Sequence, residues 1–225
     1  MKLTSLATVV ALAAVSASAF AADTGFYVGG KLGASLMESR AAHVDSSFAV
    51  GEPENLSIKN KTKTTFNVGA SVGYDFNVLY QVPVRSELDY TYRSDAKIKT
   101  AFLDSEDGAY DSHFKIKNST LMVNNYYDFY NSSDFTPYVG IGLGMSFNKY
   151  KFNEADDSFS KNKFAWAGMA GVSYKIDDNL TANVEYRYLD SGKIKYTESD
   201  GKNYTDNFSA KLRSHDLSVG LRYTF

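Results

Sequence analysis

Eight charged residues stand at alternate positions of segments that have the pattern of strands. They are the side chains of this chain best suited to take part in chemistry. The set contains four cations and four carboxylates: Lys31, Arg85, Glu87, Asp89, Glu185, Arg187, Asp216 and Arg222. Carboxylates removed from water are the raw material of acid–base catalysis. When cations match them they form a structural network instead, because an unpaired buried charge is costly. The balance of signs favours an interior charge network, and we predict no catalytic residue.

Other candidate motifs lack the spacing that their chemistry needs. The run Gly140-Ile141-Gly142-Leu143-Gly144 spaces its glycines two apart and precedes no helix, unlike a dinucleotide fingerprint. The histidines, His43, His113 and His215, lack metal-ligand spacing. His215 lies between Ser214 and Asp216, but neighbours on a strand point to opposite faces, so these residues do not form a ready-made triad. The sequence therefore predicts no metal site and no cofactor.

The composition excludes some classes of protein. The chain has 225 residues, a formal net charge of −2 and no cysteine. It lacks the excess of positive charge that is typical of nucleic-acid-binding proteins. Without cysteine it can form neither disulfides nor a thiolate metal site. Its 17 Tyr and 15 Phe, with only 3 Pro, favour strands.

The N-terminus has the parts of a secretory signal. Lys2 is followed by an apolar run from Leu6 to Val15 and by the small-x-small site Ala19-Phe20-Ala21. An anchoring helix is the alternative, but it needs about 20 apolar residues, and this run is shorter. We therefore predict a signal peptide over residues 1–21, cleaved after Ala21, and a mature protein over residues 22–225.

The final stretch, Ser214–Phe225, alternates apolar and polar residues as a half-buried strand does. Seven further segments repeat the pattern, near residues 24–37, 63–76, 82–93, 113–129, 136–149, 163–176 and 180–189. The pattern alone would also fit a soluble sandwich. Eight such segments behind an export signal favour membrane-spanning strands, which satisfy their backbone groups only in a closed barrel. The predicted fold is all-β, an eight-stranded antiparallel up-and-down transmembrane β-barrel.

The predicted connections alternate in length, which is typical of outer-membrane barrels with short periplasmic turns and long exterior loops. The long loops are predicted at about 38–62, 94–112, 150–162 and 190–209. An even number of strands places both termini in the periplasm. Aromatic residues on loops are common binding anchors. The candidate ligand contacts on these loops are Phe48, Phe102, Tyr110, Phe152, Phe159, Tyr196, Tyr204 and Phe208.

Several runs of residues carry a family resemblance. They are Gly25 to Gly30, Tyr126 to Phe129, Thr136 to Gly142, Leu180 to Asp190 and the ending Val219 to Phe225. In order and spacing they resemble the outer-membrane β-barrel superfamily of opacity-type surface antigens. The resemblance covers the strands and none of the loop sequences. It implies an eight-stranded Gram-negative surface barrel, in some members an adhesin or immune-exposed antigen, and it carries over no receptor-binding residue.

We expect a non-enzymatic surface antigen or adhesin-like barrel whose loops contact host or environmental ligands. Its expected partners are outer-membrane lipid, a host-surface or matrix ligand, and barrel-assembly machinery at the C-terminal strand that ends in Phe225. A structural envelope protein without a specific ligand is the alternative. A lipid-modifying enzyme that uses an inward carboxylate such as Glu87 is a further alternative. So is a small-solute pore, although side chains can fill an eight-stranded lumen.

Overall fold

A computed structural model describes most of the predicted mature chain. The backbone is described for residues 24–48, 55–57, 61–104, 108–152, 158–199 and 204–225. Side chains are described for residues 24–38, 62–94, 117–148, 162–192 and 211–225. The predicted signal peptide, residues 1–21, lies outside the described residues.

The described residues form nine β-strands. They are β1 (Phe26–Phe48), β2 (Asn55–Ser57), β3 (Lys61–Asp75), β4 (Val84–Asp104), β5 (Gly108–Asp128), β6 (Phe135–Phe152), β7 (Ser158–Lys175), β8 (Leu180–Ser199) and β9 (Tyr204–Thr224). Eight of them pair antiparallel in chain order, and β1 also pairs with β9, which closes the barrel. Strand β2 has three residues and pairs with β1 near His43. The predicted eight-stranded up-and-down barrel is confirmed.

The wall of the barrel follows from the alternation in the sequence. On β4, Arg85, Asp89 and Thr91 are buried in the lumen, whereas Leu88 and Tyr90 are 46% and 47% exposed on the outside. The other long strands repeat this arrangement, so polar groups fill the interior and apolar side chains cover the exterior. That is the reverse of a soluble protein and is what contact with lipid requires.

Aromatic side chains frame the apolar band at both ends. Near the chain termini, Phe26 packs edge-on against Tyr74 with ring centroids 4.9 Å apart, and Phe135 lies 4.8 Å from Tyr174. At the opposite end, the ring centroids of Trp166 and Tyr188 are 5.5 Å apart. Such girdles mark the two interfaces of an outer-membrane barrel with water.

The connections beside the termini are short. In the turn after β7, Asp177 Oδ1 accepts the backbone N–H of Leu180 at 2.6 Å. The short connection after β3 contains a five-residue helix, α1 (Phe76–Tyr80). The carboxylate of Asp75 caps it by accepting the N–H of Asn77 at 2.9 Å. Within the described ranges, no helix is long and apolar enough to cross a bilayer.

The strands continue well into the segments predicted as loops, and this corrects the boundaries at 38–62, 94–112, 150–162 and 190–209. Strand β1 runs to Phe48, β4 runs to Asp104 and β5 begins at Gly108. The predicted strands ended where apolar and polar residues stopped alternating with the apolar side outward. That alternation is required only where the strands contact lipid. The backbone hydrogen bonds between strands do not depend on lipid, so the strands continue beyond the bilayer.

Candidate functional site

Four of the predicted charged residues meet at the centre of the lumen. Asp89 on β4 forms ion pairs with Lys31 Nζ from β1 and with Arg187 Nη1 from β8, each at 2.8 Å. Arg187 Nη2 also lies 3.2 Å from Glu185 Oε1 on its own strand. Asp89 and Arg187 are 0% and 2% exposed. Two cations and two carboxylates therefore neutralise each other and join three strands across the interior.

Arg85 pairs with a carboxylate that the predicted set omitted. Its Nε and Nη2 donate to the two oxygens of Asp128 at 2.6 and 3.0 Å, the bidentate geometry that suits a guanidinium. Its Cζ also lies 4.6 Å from the ring centroid of Tyr126 and 5.1 Å from that of Tyr138. This cluster braces the periplasmic half of the lumen.

Glu87 and Arg222 are not matched as an ion pair. Glu87 accepts hydrogen bonds from Tyr126 Oη at 2.9 Å, Asn124 Nδ2 at 3.1 Å and Tyr27 Oη at 3.2 Å. The Cζ of Arg222 lies 5.2 Å from the ring centroid of Tyr27. The equal numbers of cations and carboxylates predicted that the charges of the lumen balance. Which cation meets which carboxylate depends on where each strand lies around the lumen.

Arg93 was missed by the sequence analysis and is fully buried. Its Nη2 contacts Asp216 Oδ2 at 2.5 Å, and its Nη1 donates to Asn118 Oδ1 at 3.0 Å. A signal was present, because Arg93 continues the alternation of Arg85 and Asp89 along β4. Arg93 is the last residue of the strand predicted near residues 82–93.

A cavity of about 40 Å³ remains among these groups, lined by residues that include Lys31, Glu87, Glu185 and Arg222. Since one water needs roughly 10–15 Å³, the cavity has room for a few water molecules. The lumen at this level is therefore filled chiefly by side chains, as expected for eight strands. The arrangement can hold the strands together and solvate charge.

The histidines do not join this cluster. His215 lies on the outer face, where its Nδ1 is 2.7 Å from Tyr186 Oη, while Ser214 and Asp216 are buried in the lumen. His43 and His113 have described backbones and lie on β1 and β5. Among the described residues, no group of three or more His, Asp or Glu could hold a metal ion.

The eight aromatic candidates lie on strands, and six of them stand directly opposite one another. The register pairs Phe48 with Tyr204, Phe102 with Tyr110, and Tyr196 with Phe208. Phe152 stands opposite Phe114, and Phe159 stands opposite Tyr150. The sequence could not show these pairs, because each one joins two different strands.

The eight aromatic candidates share one end of the barrel, the end opposite the first residue of β1 and the last residue of β9. We refer to this part of the barrel as the mouth.

Fold and lumen together define a class, a multi-pass outer-membrane β-barrel whose interior is filled by paired polar side chains. By the usual arrangement of such barrels, the short turns and both termini face the periplasm. The chain belongs to the family described as the outer membrane protein beta-barrel domain, whose model matches residues 7–225. The predicted membership of the outer-membrane barrel superfamily is thereby confirmed.

Two relatives in sequence are outer-membrane proteins by description. The chain is 34% identical over 226 residues to Outer membrane protein PagN of Salmonella typhimurium, covering 91% of each. It is 32% identical over 96 residues to a 25 kDa outer-membrane immunogenic protein of Brucella abortus, covering 43% of this chain and 42% of that one.

Two solved structures share the fold. Neisserial surface protein A is 23% identical with a TM-score of 0.53, and the match covers 89% of this chain and 97% of that one. The outer membrane protein OprG of Pseudomonas aeruginosa is 15% identical with a TM-score of 0.56, again covering 89% and 97%. At these identities the likeness shows the fold alone.

Proposed function

We propose that this protein is a non-enzymatic surface barrel whose extracellular mouth binds a host or environmental ligand. The observation that carries the proposal is the pairing of six aromatic residues across neighbouring strands at the mouth. Tyr and Phe supply large contact areas at low cost in conformational entropy. Residues that stand directly opposite each other on neighbouring strands are close enough to act together.

The state of the lumen supports a scaffold role for the rest of the barrel. Asp89, Asp128 and Asp216 are each held by one or two cations, and Glu87 is held by two hydroxyls and an amide. A carboxylate engaged in this way is poorly placed to exchange protons with a substrate. Function is then left to the mouth, since rigid scaffolds commonly display binding residues at their ends.

The test replaces aromatic pairs of the mouth with threonine, which retains a preference for strands. The double variants are Phe102→Thr/Tyr110→Thr and Tyr196→Thr/Phe208→Thr. The matched control is Phe135→Thr/Tyr174→Thr, an aromatic pair at the periplasmic end. We expect each mouth variant to lower adherence of expressing cells at least about tenfold, as loss of a binding hot spot does.

The control should adhere like the parent protein, and heat-modifiable migration should show that all variants are folded. Unchanged adherence in both mouth variants would remove the ligand-binding proposal. The cross-strand pairs would then serve only to stabilise the sheet.

A structural role in the envelope is the second candidate, and the charge network across the lumen favours it. On that account, deletion of the protein lowers resistance of cells to detergent while adherence persists. Measuring both properties in one deletion strain separates the two candidates.

We also infer that barrel-assembly machinery recognises β9. This strand closes the barrel against β1, and Phe225 beyond it donates its N–H to Phe26 O at 2.9 Å. Replacing Phe225 with Ser should lower the yield of assembled barrel in membranes without changing refolding in detergent. An equal loss in both settings would contradict recognition and indicate a defect of folding.

A further inference from the structure

The lipid-facing wall contains a polar pair near the periplasmic ends of the strands. Ser86 on β4 and Asn125 on β5 are paired in register at outward positions. The hydroxyl of Ser86 donates a hydrogen bond to Asn125 Oδ1 at 2.6 Å. The outward side chains around them, Leu88, Val123 and Ile141, are apolar and exposed. Two hydrogen-bonded polar residues therefore interrupt the apolar band.

The other six strands of the barrel are apolar at this height. Ser86 and Asn125 lie two or three residues from the periplasmic ends of their strands. The outward residues at the same distance from the other strand ends all have described side chains, and all are apolar: Val28, Val72, Pro137, Val172, Ala182 and Leu221. The pair is thus a local departure from the surface that contact with lipid requires.

The height of the pair corresponds to the boundary between lipid headgroups and acyl chains. Asn125 is three residues from Asp128, the last residue of β5. At about 3.4 Å per residue along strands tilted by about 40°, Asn125 lies roughly 8 Å inside the strand end. The exposed ring of Tyr127 is the next outward side chain toward the periplasm, and such rings lie at headgroup level. An amide just inside that level faces the ester groups of a glycerophospholipid.

Apolar side chains also lie on the periplasmic side of the pair. Leu79 and Tyr80 on α1 are exposed, and so is Val82 between α1 and β4. These residues precede Ser86 in the chain, so the apolar surface continues from the wall toward the periplasm. Lipid contact is therefore expected to continue past the pair and to limit its access to bulk water.

The pair leaves hydrogen-bond donors unmatched. A side-chain amide has two N–H donors, and among the described residues Asn125 Nδ2 has no acceptor. Ser86 holds the carbonyl oxygen of the same amide and so fixes its orientation. A donor without a partner is costly away from water. The arrangement therefore favours a ligand that supplies acceptors, and the carbonyl oxygens of esters have that chemistry.

We propose that Ser86 and Asn125 form a binding site for the ester groups of a glycerophospholipid of the periplasmic leaflet. Asn125 Nδ2 donates to an ester carbonyl oxygen, and Ser86 orients the amide. The acyl chains pack on Leu88, Val123 and Ile141. The site lies at the opposite end of the barrel from the mouth, so it is independent of the ligand proposed there.

The test compares two lipids that share a headgroup and differ in the linkage of their chains. The folded full-length barrel in a neutral detergent is titrated with diacyl phosphatidylethanolamine and with its dialkyl ether analogue, which has no ester carbonyl. Native mass spectrometry measures the bound lipid. We expect the parent protein to bind the ester lipid about fivefold more tightly, which is the size of effect that one hydrogen bond gives. Asn125→Leu keeps the size of the side chain without its donors and should bind both lipids alike.

The opposite side of the barrel supplies a matched control. Ala182 and Leu221 are paired in register at the same height as Ser86 and Asn125. Leu221→Val should leave the preference for the ester lipid unchanged. Adding Ala182→Ser/Leu221→Asn to the Asn125→Leu variant recreates the pair on that side and should restore the preference.

Equal binding of the two lipids by the parent protein, or a preference that survives in Asn125→Leu, would overturn the proposal. A folded triple variant without the preference would also overturn it. So would a dimer of the parent protein that dissociates in Asn125→Leu by light scattering, because a second copy of the chain would then cover the pair. Asn125→Val removes the same donors and keeps the test valid if Asn125→Leu does not fold.

Discussion

Inside the barrel, Asp89 is held between Lys31 and Arg187 from two other strands. On the outer face of the same strand as Asp89, Leu88 and Tyr90 are 46% and 47% exposed. The same wall therefore carries opposite charges in contact on one side and apolar side chains on the other. Interior charges find partners within the chain because little water reaches them. Exterior side chains meet the membrane instead and need no partner from the chain.

The largest expected effect comes from breaking the interior half of this comparison. Arg187→Gln leaves Asp89 and Glu185 with fewer compensating charges in a buried setting. Removing one partner of a buried ion pair typically costs about 3–5 kcal/mol. We expect a loss of that size in the free energy of unfolding, measured by urea titration of the barrel in lipid vesicles.

An exposed pair supplies the control for Arg187. Lys175 Nζ lies 2.8 Å from Asp178 Oδ1 beside the periplasmic turn, and the contact holds the pKa of Asp178 below its ordinary value. Both side chains are exposed, and water screens such pairs. Lys175→Gln should leave the unfolding curve unchanged. If Arg187→Gln also left the free energy of unfolding unchanged, the ion pairs of the lumen would not stabilise the barrel.

A smaller effect is expected from two glycines on opposite faces of β7. A Cβ at Gly171 would lie 2.4 Å from Val184 O and 2.5 Å from the ring of Tyr138, whereas a Cβ at Gly168 meets nothing within 4 Å. Gly171→Ala should therefore cost about 1–3 kcal/mol through overpacking. Gly168→Ala should cost much less in the same urea titration. Equal costs would show that the lumen has room to adjust.

Alternation predicted the eight strands because contact with lipid imposes a local, repeating requirement on the sequence. It predicted that Arg85, Asp89 and Arg187 face inward for the same reason. It misplaced the exterior strand ends, since beyond the bilayer no contact with lipid maintains the outward apolar alternation. The strand positions of Phe102 and Tyr110 follow from that correction.

Neighbours along a single strand are enough to show which residues face lipid and which face the lumen. Which charges meet depends instead on the closed sheet. Arg93 and Asp216 are 123 residues apart in the chain and touch because β4 and β9 face each other across the lumen. The facing pairs Phe102–Tyr110 and Tyr196–Phe208 also needed the register, because each pair joins two different strands. Pairing across a barrel depends on closure and stagger, which are properties of the whole sheet.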